Sequence, residues 1–236
     1  MRRMLTRALT IAAGAALLLT LAGCGSHDTS VSAAADNAPA GSSSSPSGAG
    51  RCSYPADPAG ASKKVDPPPS TPSENGKVRA TITSSVGALH LTLDAAKAPC
   101  TVNSFVSLAD QGFYDGTSCH RLGDATGFEL LQCGDPTGTG TGGPGYSIPD
   151  EYDGSETYPA GTLAMARASQ PNSGGSQFFM VFGDTQLPPQ YTVFGTLDKA
   201  AVKALAKVGK AGNDGAWGDG TGRPIIPVTF TKVTVR

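Results

Sequence analysis

The chain has 236 residues, 39% of them hydrophobic, enough for one good-sized domain with tails. Its 31 Gly and 18 Pro predict abundant turns and loops. With 18 Lys and Arg against 19 Asp and Glu the formal charge is −1, and no basic run appears that could form a nucleic-acid face.

Residues 1–23 read as an export signal and not as part of a fold. Arg2, Arg3 and Arg7 precede an apolar run from Ala8 to Leu21, too short for a membrane span. The run ends in Leu21-Ala22-Gly23-Cys24, which resembles the lipobox of bacterial lipoproteins. That resemblance implies lipidation of Cys24 and anchoring at the outer face of the cytoplasmic membrane. Removal of the three Arg would leave a formal charge of −4, so acyl chains would supply most of the membrane affinity. The other four cysteines, Cys52, Cys100, Cys119 and Cys133, could form two disulfides in an exported chain. Their pairing is not deducible from the sequence. The absence of a CxxC pair argues against a metal site, and no cofactor is expected.

Residues 24–77 are expected to be a flexible Ser/Ala/Pro-rich tether and an N-terminal strap, which Cys52 could staple to the domain. Regular structure is expected from about Val78. Val78, Ala80 and Ile82 alternate with polar residues, Ser84 to Gly87 reads as a turn, and Leu89, Leu91 and Leu93 alternate again, predicting an antiparallel hairpin. Val102, Phe105, Val106, Leu108 and Ala109 follow helical spacing over 101–111, with Pro99 before and Gly112 after. Phe178 to Phe182 reads as a buried strand, with Phe178 assigned to the core by alternation. Residues 200–208 read as a second helix. Val228, Phe230, Val233 and Val235 form a closing strand whose alternation slips at Lys232, as a bulge would cause. Many antiparallel strands with two helices suggest a mainly β domain, a closed barrel capped by helices.

Gly138 to Gly143 matches GxGxxG, but Pro144 follows and no helix opens there, so a phosphate cradle is not expected. No GxSxG elbow accompanies the three His. The informative segments are Cys119-His120-Arg121-Leu122, Gln132-Cys133-Gly134-Asp135, the 138–145 loop, Asn172 to Phe179, and Tyr191-Thr192-Val193-Phe194-Gly195. In that order they resemble the cyclophilin family of peptidyl-prolyl cis-trans isomerases, from about Val78 to the C-terminus. The resemblance implies a closed eight-stranded antiparallel barrel with two helices over residues 78–236. It also implies X-Pro isomerisation in exported polypeptides, with a binding module of little turnover as the alternative.

By resemblance Arg121 is the catalytic donor and Phe179 the floor of the proline pocket. Gln132 would bind the substrate backbone and help hold Arg121. Gln177 faces the groove, Ala166 and Arg167 form its edge, and Leu187 and Tyr191 line it. The Gly127-to-Leu131 segment is one residue longer than the family pattern, so either Phe128 or Glu129 faces the pocket, with Phe128 and Leu130 favoured as walls. The pocket-rim Trp of many eukaryotic members is absent, and the single Trp, Trp217, lies elsewhere in the sequence. His120 reads as structural. The protein is expected to act as a monomer on proline-containing chains.

Overall fold

The structure, a computed structural model, describes residues 50–236. The export signal, Cys24 and most of the tether lie outside the described residues.

Strands β2 (Lys77–Ser84) and β3 (Gly87–Asp94) form the expected hairpin, paired from Lys77↔Asp94 to Ser84↔Gly87. Their alternating Val78, Ala80, Ile82, Leu89, Leu91 and Leu93 all point into the core. Helix α1 (Pro99–Asp110) follows. Pro99 opens it because its missing N–H is one the first turn cannot use. Gly112, at φ 65°, ends it: the Gly112 N–H donates to the Ala109 carbonyl and the Phe113 N–H to the Leu108 carbonyl. That pair of bonds is the Schellman arrangement. Ala98 provides no side-chain cap. Instead Glu151, from a distant loop, accepts the N–H groups of Cys100 and Thr101 at 2.9 and 2.8 Å. Burial pushes the Glu151 carboxyl above its usual range, against the pull of these hydrogen bonds.

Next come β4 (Arg121–Ala125), β5 (Phe128–Cys133), β6 (Pro144–Tyr146), β7 (Thr162–Met165), β8 (Phe178–Val181) and β9 (Val193–Leu197). Helix α2 (Lys199–Ala211) is capped by Asp198, whose carboxylate accepts the Ala201 N–H at 2.7 Å. Strand β10 (Phe230–Val235) ends the chain order. Its register on β2 shifts between Phe230 and Lys232, the bulge expected there. The eight-stranded antiparallel sheet runs β10-β2-β3-β9-β7-β8-β5-β4. Inside its curve Phe178 packs against Phe105, Tyr114, Phe194 and Phe230, with ring centroids 5.6 to 6.3 Å apart.

Two expectations need correction. The barrel is not closed: its end strands β4 and β10 form no ladder. A seam of hydrogen bonds joins residues 116–119 to 228–230, but beyond it Leu122 exchanges both backbone bonds with Gly222 of the loop after α2. That loop occupies the edge of β4 which closure would require. Regular structure also begins before Val78. Strand β1 (Ala56–Ala61) pairs with β6 in a separate two-stranded sheet. The Cys52–Cys100 disulfide fixes this strap to α1, and Asn103 donates to the Pro69 carbonyl at 2.7 Å. The second disulfide joins Cys119 to Cys133.

Candidate active site

Strand register decides which side chains meet. Arg121 lies opposite Gln132, Gln132 opposite Phe179, and Phe179 opposite Ala164. Directly opposed residues of antiparallel strands project to the same side, so these four form one row across β4, β5, β8 and β7 on the outer face. The adjacent row, Leu122, Leu131, Met180 and Leu163, faces the core.

The outer face carries its own apolar cluster. Phe179 sits at its base, 3% exposed, with Leu130, Tyr158, Ala164 and Val181. Half-buried Phe128, Ala166, Leu187, Tyr191 and Val193 surround it. The Phe179 and Tyr191 rings meet edge-to-face at 5.4 Å. Of the two candidates in the lengthened segment, Phe128 packs here. Glu129 turns away, with its carboxylate against Gly183. Phe128 fits because residue 123 is Gly; a Cβ there would come 2.6 Å from a Phe128 ring carbon and 2.8 Å from its carbonyl oxygen.

Arg121 lies at the border of this cluster, its guanidinium 6.0 Å from the Phe128 ring. Its Nε donates to Thr221 Oγ1 at 2.8 Å and its Nη2 to Asp219 Oδ2 at 2.6 Å. Gln132, expected to help hold Arg121, instead donates to Gln177 Oε1 at 2.8 Å. Gln177 in turn donates to the carbonyls of Gly140 and Gly142, at 3.0 and 2.9 Å. The Gly-rich loop is therefore a shaped support for these two amides. Asp135 organises it, accepting the N–H groups of Thr137, Thr139 and Gly140. Burial alone would raise the Asp135 carboxyl, but hydrogen bonds from Thr137, Gly142 and Gly140 outweigh it and hold the group below its usual range.

Beside Gln132 and Gln177 a cavity of about 390 Å³ opens, bordered by Ala166, Arg167 and, from the strap, Asp57. Arg167 reaches across to Gln190. His120 is 2% exposed and neither ring nitrogen has a hydrogen-bond partner. Its burial lowers its pKa, and Arg121 lowers it further, against the opposing effects of Asp135 and the nearby Gln177 amide. A neutral, buried ring fits a structural part. Among the described residues no group of three or more His, Cys, Asp or Glu is placed to hold a metal ion.

Residues 78–235 match the family model for "Cyclophilin type peptidyl-prolyl cis-trans isomerase/CLD". The chain belongs to the cyclophilin-type peptidyl-prolyl cis-trans isomerase family. It is 46% identical over 196 residues to a probable peptidyl-prolyl cis-trans isomerase B of Mycobacterium tuberculosis, covering 77% of this chain and 63% of that protein. The Mycobacterium leprae counterpart is 43% identical over 196 residues, with 77% and 65% covered. This chain thus spans somewhat less than two thirds of the length of those relatives. A Cryptosporidium parvum cyclophilin, crystallised in the presence of the dipeptide Ala-Pro, matches with a TM-score of 0.57 and 30% identity over 67% of this chain and 98% of that one.

Two further residues shape the site of this cyclophilin domain without a clear signal in the sequence. Tyr158 accepts the Tyr191 N–H at 3.0 Å, and its one hydroxyl proton is shared between the Pro188 and Tyr191 carbonyls, each at 3.3 Å, fixing the loop that carries Leu187 and Tyr191. Its only signal was a lone Tyr before Pro159. Trp217, placed elsewhere by sequence position, packs 5.9 Å from the Arg121 guanidinium.

Proposed function

We propose that the protein is a peptidyl-prolyl cis-trans isomerase with Arg121, Gln132 and Phe179 as its catalytic set. The observation that carries this reading is the single outer-face row that places a guanidinium and an amide beside an aromatic cluster. An X-Pro bond turns against a barrier of about 18–20 kcal/mol because its amide nitrogen shares its lone pair with the carbonyl. In the twisted state that lone pair returns to nitrogen and can accept a hydrogen bond. Arg121 is always charged and carries five N–H donors. Thr221 and Asp219 engage one each, leaving the remainder free to reach the prolyl nitrogen. The cluster around Phe179 holds the proline ring while the preceding residue rotates. Gln132 and Gln177, mutually oriented, offer hydrogen bonds to the peptide backbone. A 10⁵-fold acceleration needs about 7 kcal/mol of preferential stabilisation of the twisted amide.

The substrates in this reading are proline-containing segments of exported polypeptides, met by a monomer anchored through Cys24 outside the cytoplasmic membrane. The Leu21-to-Cys24 motif supports the anchor, and two disulfides suit an oxidising compartment. Release of a Cys24→Ala variant into the medium is expected, and retention on the membrane would remove the anchor. For the activity, a protease-coupled isomerisation assay compares the wild type with Arg121→Ala, for which a loss of about 100-fold or more in kcat/KM is expected. An inactive wild type would favour a proline-peptide-binding module. A fully active variant would overturn the role of Arg121.

A further inference from the structure

We propose that the loop of residues 213–222, between α2 and β10, is a clamp that sets the direction of the Arg121 guanidinium, with Thr221, Asp219 and Trp217 as its positioning residues. This rests on the reading of Arg121 as the catalytic donor.

The loop is docked on β4 and the residue before it, at alternate positions. Trp217 Nε1 donates to the His120 carbonyl at 3.2 Å, Leu122 and Gly222 exchange backbone bonds, and Asn213 donates to Asp124 at 3.0 Å. Between these anchors the loop meets Arg121 itself. Thr221, only 3% exposed, presents its hydroxyl oxygen to Nε. Its hydroxyl proton goes to Asp219 Oδ1, and its N–H donates to the same oxygen at 3.0 Å. The other Asp219 oxygen takes Nη2. One edge of the guanidinium fork is therefore held by two linked acceptors, which leaves the Nη1 donors available on the other.

Arg121 needs such holding. Its side chain is 29% exposed and long, and its rotamer entropy opposes any single orientation. Asp219 is half-exposed, so Coulomb attraction across solvent contributes little by itself. Direction is what the pair supplies, and a donor misplaced by about 1 Å can cost about 100-fold in rate. Trp217 completes the clamp. Its ring lies 5.9 Å from the guanidinium and against Gly140, where an added Cβ would come 2.5 Å from the indole. Gly140 also accepts from Gln177, so the indole links the Arg121 side of the site to the Gln132–Gln177 side.

The test uses the full chain and steady-state kinetics of prolyl isomerisation for Thr221→Val, Thr221→Ser and Asp219→Asn, each with Arg121 intact and as Ala. With Arg121 present, Thr221→Val is expected to lower kcat about 10- to 100-fold with KM within about twofold. Thr221→Ser, which keeps the acceptor, should recover to within about threefold. In the Arg121→Ala background the same substitutions should change the residual rate by less than about twofold, because positioning residues act only through the group they position. Asp219→Asn is at a half-exposed site and carries the same comparison if Thr221→Val fails to fold. A Thr221→Val or Asp219→Asn enzyme at wild-type kcat, or equal losses with and without Arg121, would overturn the clamp. An Arg121→Ala enzyme at wild-type rate would instead remove the catalytic reading beneath it.

Discussion

The two faces of strands β4, β5, β8 and β7 differ by one residue of phase and by almost everything else. Inward, Leu122, Leu131, Met180 and Leu163 form a sealed hydrocarbon row above Phe178. Outward, a part-exposed charge and amide, Arg121 and Gln132, continue into a buried aromatic ring and small residue, Phe179 and Ala164, at the base of the outer cluster. Side chains alternate along a strand, so one stretch of backbone serves both purposes. A slip of one residue would bury the guanidinium and expose the leucines, which is why packing inside fixes the geometry outside. Inner-face changes should therefore read out as stability and outer-face changes as rate.

The neighbouring phenylalanines give the sharpest contrast. Phe178→Ala should lower unfolding free energy by about 3–5 kcal/mol in denaturant titrations, since the aromatic core around it cannot collapse onto the gap. Phe179→Ala should cost less, about 2–3 kcal/mol, because the neighbours above it, Phe128, Leu187 and Tyr191, are only half-buried and can move toward the gap, yet should lower kcat/KM at least about tenfold. Equal stability losses at the two positions would break the comparison.

The disulfides extend it. Replacing Cys52 and Cys100 by Ser opens a 48-residue loop whose ends lie in the strap and α1, outside the four strands of the row, and should cost about 2–4 kcal/mol while the native fraction keeps its rate. Cys119 and Cys133, closing a 14-residue loop, lie two residues before Arg121 and one after Gln132. Their replacement should cost about 2–3 kcal/mol and also lower kcat. An unchanged kcat in this second variant would show that the row keeps its register without the cross-link.

Smaller is Gly123→Ala, whose methyl group must displace the Phe128 ring: about 1–3 kcal/mol and a rise in KM are expected from thermal melts and kinetics. The smallest effect is that of pH on His120. Its folded pKa is lowered, so the unfolded chain takes up its proton first as pH falls. The contribution is fully present above the unfolded value of about 6.5 and is lost as pH drops through the folded value. His120→Gln should flatten the stability profile over that window; an unchanged slope would assign the acid sensitivity to other groups.

Much of this was legible in the sequence where periodicity or chemistry is local. The β2–β3 hairpin, both helices, the bulge before Lys232 and the division of Phe178 from Phe179 all follow from alternation or spacing. What stayed hidden depends on long-range contact. Strand β1 is Pro- and Gly-bearing and pairs with the three-residue β6, so no pattern announced it. Trp217 sits in a Gly-rich segment without periodicity, and its place beside Arg121 comes from the loop docking on β4. That same docking leaves the sheet open at β4, against the expected closure. The Gln132–Gln177 pair leaves no trace in the sequence, because the two residues lie 45 positions apart and meet only through the sheet.

In the proposed mechanism the outer row favours the twisted amide over both planar forms, beyond merely gripping proline. Exchange NMR on an Ala-Pro peptide bound to the wild type and to Arg121→Ala separates the two, since it reads affinity and on-protein interconversion together. A Kd within about threefold and an interconversion rate about 100-fold slower are expected in the variant. An unchanged on-protein rate, or a loss of rate matched by an equal loss of affinity, would contradict it.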